Sequence, residues 1–264
     1  MKKNKNGLPL EIKYCSKCNI SNQQPTSINE YFHNENTVQT TIEFDSNNIC
    51  SACNFNALKW NDKIDWNLRE KELIELCDKY RSKDGSYDCI IGGSGGKDSV
   101  FQSHMLKYKY KMKPLTVTWA PHIYTEIGFK NFQNWIHIGG FDNYLYTPNG
   151  KIHRKLTREA TKNLLHPFQP FIIGQKTFVI KMACKLNIPL IFYGEMPGEY
   201  GKKISHKTNH LSLNNENIKQ KGYRLDPLEG KEFIETYLGG KKVKHYLEEG
   251  INLNDLDSYR PESP

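Results

Sequence analysis

No apolar run in this 264-residue sequence approaches the roughly 18 residues that cross a bilayer, and the opening MKKNKNGLPLEIKY lacks the apolar stretch of a secretory leader. The expected address is therefore cytoplasmic, with no membrane partner. Apolar residues make up only 37% and mean hydropathy is −0.71, a polar chain that still holds enough apolar content for one core, so disorder throughout is excluded. No internal repeat is visible, which excludes solenoid arrays. Acidic residues are outnumbered, 29 against 37 basic, and the net charge of +8 favours anionic partners without choosing among nucleotides, acidic sugars and nucleic acid.

Cysteine is sparse as well, seven in all, yet four fall as two pairs, Cys15-Ser-Lys-Cys18 and Cys50-Ser-Ala-Cys53. A C-x-x-C turn presents two thiolates to one ion, and two such turns close a tetrahedral shell with no position left open for catalysis. A structural zinc site is expected; an iron–sulfur cluster stays open as an alternative, and a cytoplasmic compartment disfavours disulfides. Cys77, Cys89 and Cys184 stand alone in helix or strand patterns, where a small buried hydrophobe is the expected role.

The organisation follows from the punctuation. Residues 1–60 form the four-cysteine metal-binding segment, and 61–85 a linking helix capped by Asn61 or Asp62 with Leu73, Leu76, Cys77 and Tyr80 at helical spacing. Residues 86–200 alternate regularly: a strand from Tyr87 to about Ile91, a strand Pro114–Ala120, a helix Thr125–Ile138, the strand NYLYT, two helices within 151–186 and a strand Ile188–Gly194. Strands separated by helices of this length predict an α/β fold, a parallel doubly wound sheet covered on both faces, with ligands at the carboxyl ends of its strands. Residues 201–264 read as a basic loop or insertion, two short helices and an acidic tail, possible marks of a truncated chain. His104 is expected half-buried, His153, Arg154 and Arg158 at the surface, and Trp119, Trp135 and Tyr144 in the core.

The chemistry centres on CIIGGSGGKDSVF, residues 89–101. It is not a Walker A loop, because Ile91 and Asp98 stand where that pattern needs glycine and a hydroxyl; nor is it a dinucleotide loop, because Asp98 replaces the third glycine. Its strand-to-helix setting nevertheless lets backbone N–H groups and a helix dipole converge on an anion. Ser94-Gly95-Gly96-Lys97-Asp98-Ser99 matches S-G-G-x-D-S and resembles the pyrophosphate loop (PP-loop) of ATP pyrophosphatases, which cleave ATP between its α and β phosphates.

That resemblance implies roles. Gly93, Gly95 and Gly96 with the hydroxyls of Ser94 and Ser99 would cradle pyrophosphate, Lys97 would neutralise its growing charge, and Asp98 would help hold Mg²⁺ with ATP. Adenine would lie near Val117 and Thr118 at the next strand, and Gly194 and Glu195 stand where related enzymes place a further polar or acidic segment, a plain helix cap being the alternative reading. Together with the cysteine pairs, the stretch HPFQPFIIGQKTFVIKMACKLNIPLIFYGEMPGEYG resembles the N-acetyl sugar amidotransferase family of bacterial surface-glycan pathways over residues from about 14 to 202.

Membership of that family would mean adenylation of an acetamido oxygen, attack by ammonia, and release of AMP and pyrophosphate. The acceptor would be a small acetamido sugar of the pseudaminic or legionaminic acid or O-antigen type. No cysteine stands on a nucleophile elbow or at the amino terminus, so the family's separate glutaminase subunit would supply the ammonia. Two rivals stay open: a tRNA-modifying PP-loop enzyme, thiolase or lysidine-type, and a non-enzymatic zinc module that binds nucleic acid.

Overall fold

The structure is a computed structural model that describes residues 3–4, 7–25, 40–60, 64–194, 250, 256 and 259. The chain divides into two compact units, one comprising residues up to Leu73, the other running from Ile74 to Gly194 and taking in Leu256 and Tyr259.

In the first unit, short antiparallel bridges replace sheet: Tyr14 with Ser21, Pro25 with Thr41, and Phe44 with Cys50. The turn before Cys50 is built by Asp45, whose Oδ1 accepts from the amides of Asn47 at 2.8 Å and Ile49 at 3.0 Å. Asn19 and Asn48 take positive φ (60° and 57°), a conformation asparagine tolerates better than most residues. The core is small, with Cys15, Ile42 and Cys50 buried and Ile20, Phe44, Ile49 and Ala52 packed around them. Helix α1 (Ser51–Trp60) starts directly after Cys50 and buries none of its residues, so nothing in its apolar pattern announces it.

Helix α2 (Trp66–Tyr80) is capped by Asp65, whose Oδ1 accepts from Leu68 N at 2.9 Å. The caps expected at Asn61 or Asp62 lie outside the described residues. Arg81 follows the helix and donates to the carbonyls of Tyr110 and Lys111.

The second unit carries a four-stranded sheet in the order β3-β2-β1-β4, and every pairing is parallel. Its strands are β1 (Cys89–Gly92), β2 (Pro114–Trp119), β3 (Asn143–Tyr146) and β4 (Ile191–Phe192). All six residues of β2 are buried, as a central strand covered on both faces requires. The helices are α3 (Lys97–His104), prolonged by a π-helical turn over Met105–Lys109, α4 (Glu126–His137), α5 (Gly150–Leu164) and α6 (Gln169–Lys185). Two glycines show how the helices flank the sheet. A Cβ on Gly92 would lie 2.7 Å from Val179 of α6, whereas one on Gly93 would strike Ser99 of α3 and Trp135 of α4. Since successive strand residues point to opposite faces, α6 covers one face and α3 with α4 the other.

Some expectations are corrected. Tyr144 is 49% exposed on the edge strand, not core, because among the described residues β3 has a neighbouring strand on one side alone. His153 is buried rather than superficial, and His104 is exposed, its ring tilted at 43° against that of Tyr108. Trp119 and Trp135 do fill the core, as do Cys77 and Cys89. The helices and basic loop expected beyond Glu195 lie outside the described residues.

Candidate functional site

The glycine turn leaves the carboxyl end of β1, the edge where an open parallel sheet gathers its ligands. Gly93 N donates to Val117 O at 3.0 Å, the last rung tying the turn to β2. Gly95 has φ +84°, and a Cβ there would lie 2.7 Å from the backbone N of Phe132, so both conformation and close approach to α4 demand glycine. Gly96 differs. It is the N-cap of α3 with φ −71° and ψ 159°, a conformation open to any residue, and a Cβ would meet none of the described residues within 4 Å.

Among the described residues no packing contact calls for glycine at Gly96. Among the described residues no side chain caps the first amides of α3 either.

Around this mouth the expected residues converge. Ser99 donates its hydroxyl to Gly96 O at 3.0 Å, and Ser103 accepts from Trp135 Nε1 at 2.8 Å while donating to Ser99 O, which fixes the first turns of α3 to α4. Lys97 Nζ donates to Asp98 Oδ1 at 2.7 Å, with both side chains largely in solvent. Gly194, two residues past β4, lies against Asp98: a Cβ on it would be 3.2 Å from Asp98 Cβ. The structure thus brings Gly93, Ser94, Gly95, Gly96, Lys97, Asp98, Ser99 and Gly194 to one edge. Val117 and Thr118 are buried within β2, where Thr118 Oγ1 accepts from Asn143 Nδ2 at 3.0 Å, so it is their strand's carboxyl end that borders the turn. Glu195 lies outside the described residues.

The second site is the cysteine cluster. The four sulfurs of Cys15, Cys18, Cys50 and Cys53 lie within 4.8 Å of one another, with Cys15–Cys53 at 3.9 Å and Cys18–Cys50 at 3.6 Å. Tetrahedral zinc with bonds of about 2.3 Å requires sulfurs about 3.8 Å apart, so the donor set and its spacing fit that ion. Backbone amides point at the sulfurs: Cys50 N and Lys17 N reach Cys15 Sγ at 3.3 and 3.4 Å, and Cys53 N reaches Cys50 Sγ at 3.4 Å. Burial raises the Cys15 thiol, but the amides of Cys50, Lys17 and Cys18 outweigh it and lower it to about 6. Cys53 is raised, first by burial and then by the three neighbouring sulfurs. Beside Cys53 a groove of about 420 Å³ is lined by Lys17, Asn56, Ala57 and Trp60. Trp60 is 75% exposed, and its Nε1 donates to Asn56 Oδ1 at 3.1 Å.

One feature of the sheet's carboxyl edge was missed from sequence. Just beyond β2, His122 Nδ1 and His153 Nε2 are 3.0 Å apart with rings stacked at 4.5 Å, and His153 Nδ1 meets Tyr259 Oη at 2.5 Å.

No protein-family match is found for the sequence. A stretch of 76 residues, 29% of this chain, is 36% identical to the uncharacterized protein MJ1599 of Methanocaldococcus jannaschii, of which it spans 26%. Among solved structures, a chain described as a predicted subunit of tRNA methyltransferase, also from Methanocaldococcus jannaschii, is similar over 66% of this chain and 92% of its own length, at 20% identity and a TM-score of 0.34. Neither description names a sugar amidotransferase.

Proposed function

We propose that the protein is an ATP-dependent, AMP-forming enzyme of the PP-loop type, which activates an acceptor oxygen as its adenylate. The observation that supports this reading is Gly96, a bare residue at a helix mouth that no described residue caps and none crowds. The turn's amides with Ser94 and Ser99 would hold the departing pyrophosphate, Lys97 would balance its charge, and Asp98 would supply an oxygen ligand to Mg²⁺. Because the amides are fixed before substrate arrives, no reorganisation is needed as charge develops.

Two acceptors divide the reading. By its resemblance to the N-acetyl sugar amidotransferases, the chain would convert an acetamido group to an acetamidino group with ammonia from a glutaminase partner. Adenylation is needed because the amide oxygen is otherwise a poor leaving group. The tRNA-modifying alternative is favoured by the net charge of +8 and by the groove beside Cys53, where an exposed Trp60 offers a base-stacking surface next to Lys17.

One assay separates them. The protein is incubated with ATP, Mg²⁺ and ammonium, with either acetamido sugars or unmodified tRNA, and the products are read as AMP and pyrophosphate against ADP and phosphate. Sugar-dependent AMP supports the first acceptor and tRNA-dependent AMP the second; ADP as the product removes the class.

A further inference from the structure

The carboxyl edge of the sheet holds a second cluster whose chemistry the phosphate turn does not use. β2 ends at Trp119, the pairing closes with Ala120 N donating to Tyr146 O at 2.9 Å, and three residues past the strand the chain presents His122. His122 is exposed, whereas His153, on the first turn of α5, is 7% exposed and Tyr259 is 1% exposed. Aromatic rings enclose the buried part: Trp119 lies edge-on to Tyr259 at 5.2 Å and 6.4 Å from His153, and Phe168 and Phe171 flank His122. Two residues further on, Tyr124 meets Phe132, the residue whose backbone abuts Gly95, so this segment and the phosphate turn border the same part of the sheet.

His122 thus stands in solvent with one ring nitrogen held by the buried His153. We propose that His122 is a catalytic base at this site, its Nε2 taking a proton from the nucleophile that attacks the adenylated acceptor, with His153 and Tyr259 as positioning residues that fix its tautomer.

The inference rests on the adenylation reading. As the nitrogen of ammonia bonds to the activated carbon, one N–H proton passes to the Nε2 lone pair. The C–O bond to the adenylate then breaks, and its electron pair leaves on AMP. For Nε2 to be free, Nδ1–H of His122 must donate to His153 Nε2, and Nδ1–H of His153 to Tyr259 Oη. These are the two contacts observed. Among the described residues the ionisable groups facing His122 are His153 from α5 and, behind it, Tyr259, while Phe168, the N-cap of α6, and Phe171 within it contribute their rings. Burial lowers the basicity of both histidines, so each is neutral near pH 7 and His122 is competent to accept a proton.

Two measurements on the full chain test this. In the AMP-release assay, the wild-type rate should fall as pH drops through a midpoint below 6.5. His122→Gln should abolish that limb and lower the rate about 100-fold or more. Tyr259→Phe should shift the limb with a smaller loss. Imidazole ¹⁵N spectra, which need no turnover, should show His122 and His153 each locked with Nδ1 protonated and Nε2 bare, and Tyr259→Phe should release that lock. A His122→Gln enzyme with unchanged rate and pH limb overturns the proposal, as do spectra in which the two rings average between tautomers and titrate independently. A wild-type chain whose spectra show the lock but which makes no AMP with any acceptor defeats the adenylation reading instead.

Discussion

Gly95 stands so close to Phe132 that a single methyl group on it would lie 2.7 Å from that residue's backbone nitrogen, while one on Gly96, next in the chain, would meet none of the described residues within 4 Å. Two adjacent glycines therefore serve different ends, and substitution separates them. Gly95→Ala meets both a left-handed φ and the backbone of α4, and should cost about 1–3 kcal/mol of stability, read as a lowered Tm. Gly96→Ala should leave stability within about 1 kcal/mol, with a small gain from the stiffer unfolded chain. It should nonetheless weaken ATP binding, because the methyl occupies the approach to the amides. Thermal melts with and without ATP and Mg²⁺ check both: Gly96→Ala should keep its melting temperature and lose the nucleotide-induced rise.

Lys97 and Asp98 pair at the surface, where such contacts contribute about 0–1 kcal/mol. Asp98→Ala should accordingly fold as the parent does and lose AMP formation, as should Lys97→Ala to a lesser degree. If Asp98→Ala turns over normally, the assignment of the turn to ATP fails.

Much of this edge was legible in the sequence because its determinants are local. β2 is a six-residue buried run ahead of a capped amphipathic helix, and Thr125 caps α4 by accepting from Gly128 N, so both elements fall where periodicity and capping place them. The turn itself is contiguous, so its place between β1 and α3 could be read as a string. What escaped depends on distance along the chain or on weak patterning. His153 sits among Lys151, Arg154 and Lys155, which mark an exposed helix, and its buried partner Tyr259 lies 106 residues away. Helix α1 buries nothing, and the π-helical turn after His104 has no periodicity of its own to reveal it.

The sulfur spacing predicts one zinc ion per chain, measurable by metal analysis of the purified protein, and Cys15→Ser should abolish it. Cys50 and Cys53 are both raised, chiefly by burial, so they hold protons in the metal-free state that zinc must displace. Zinc uptake should therefore release protons, and apparent affinity in chelator competition should rise with pH between 6 and 8. Visible absorption typical of an iron–sulfur chromophore would instead favour the alternative cluster. Since the small core around Cys15, Ile42 and Cys50 includes two of the ligands, chelation should unfold this unit.

His153 links the buried cluster to acid stability. Burial is the main reason, and the neighbouring His122 a further one, that its pKa falls from 6.5 to about 4 in the folded protein. The unfolded chain therefore binds a proton at a higher pH than the folded one, and stability must decline as pH falls between the two values. Above about 6.5 both states are neutral and the contribution is fully present; below about 4 both are charged and it is gone. The shift corresponds to at most about 3 kcal/mol at 1.36 kcal/mol per pKa unit. Denaturant unfolding at intervals from pH 7.5 to 4 should show this decline. In His153→Gln the same window should be flatter, with lower stability at pH 7 because the contacts to His122 and Tyr259 are lost. A His153→Gln curve parallel to the parent's through that window would show that another group titrates there.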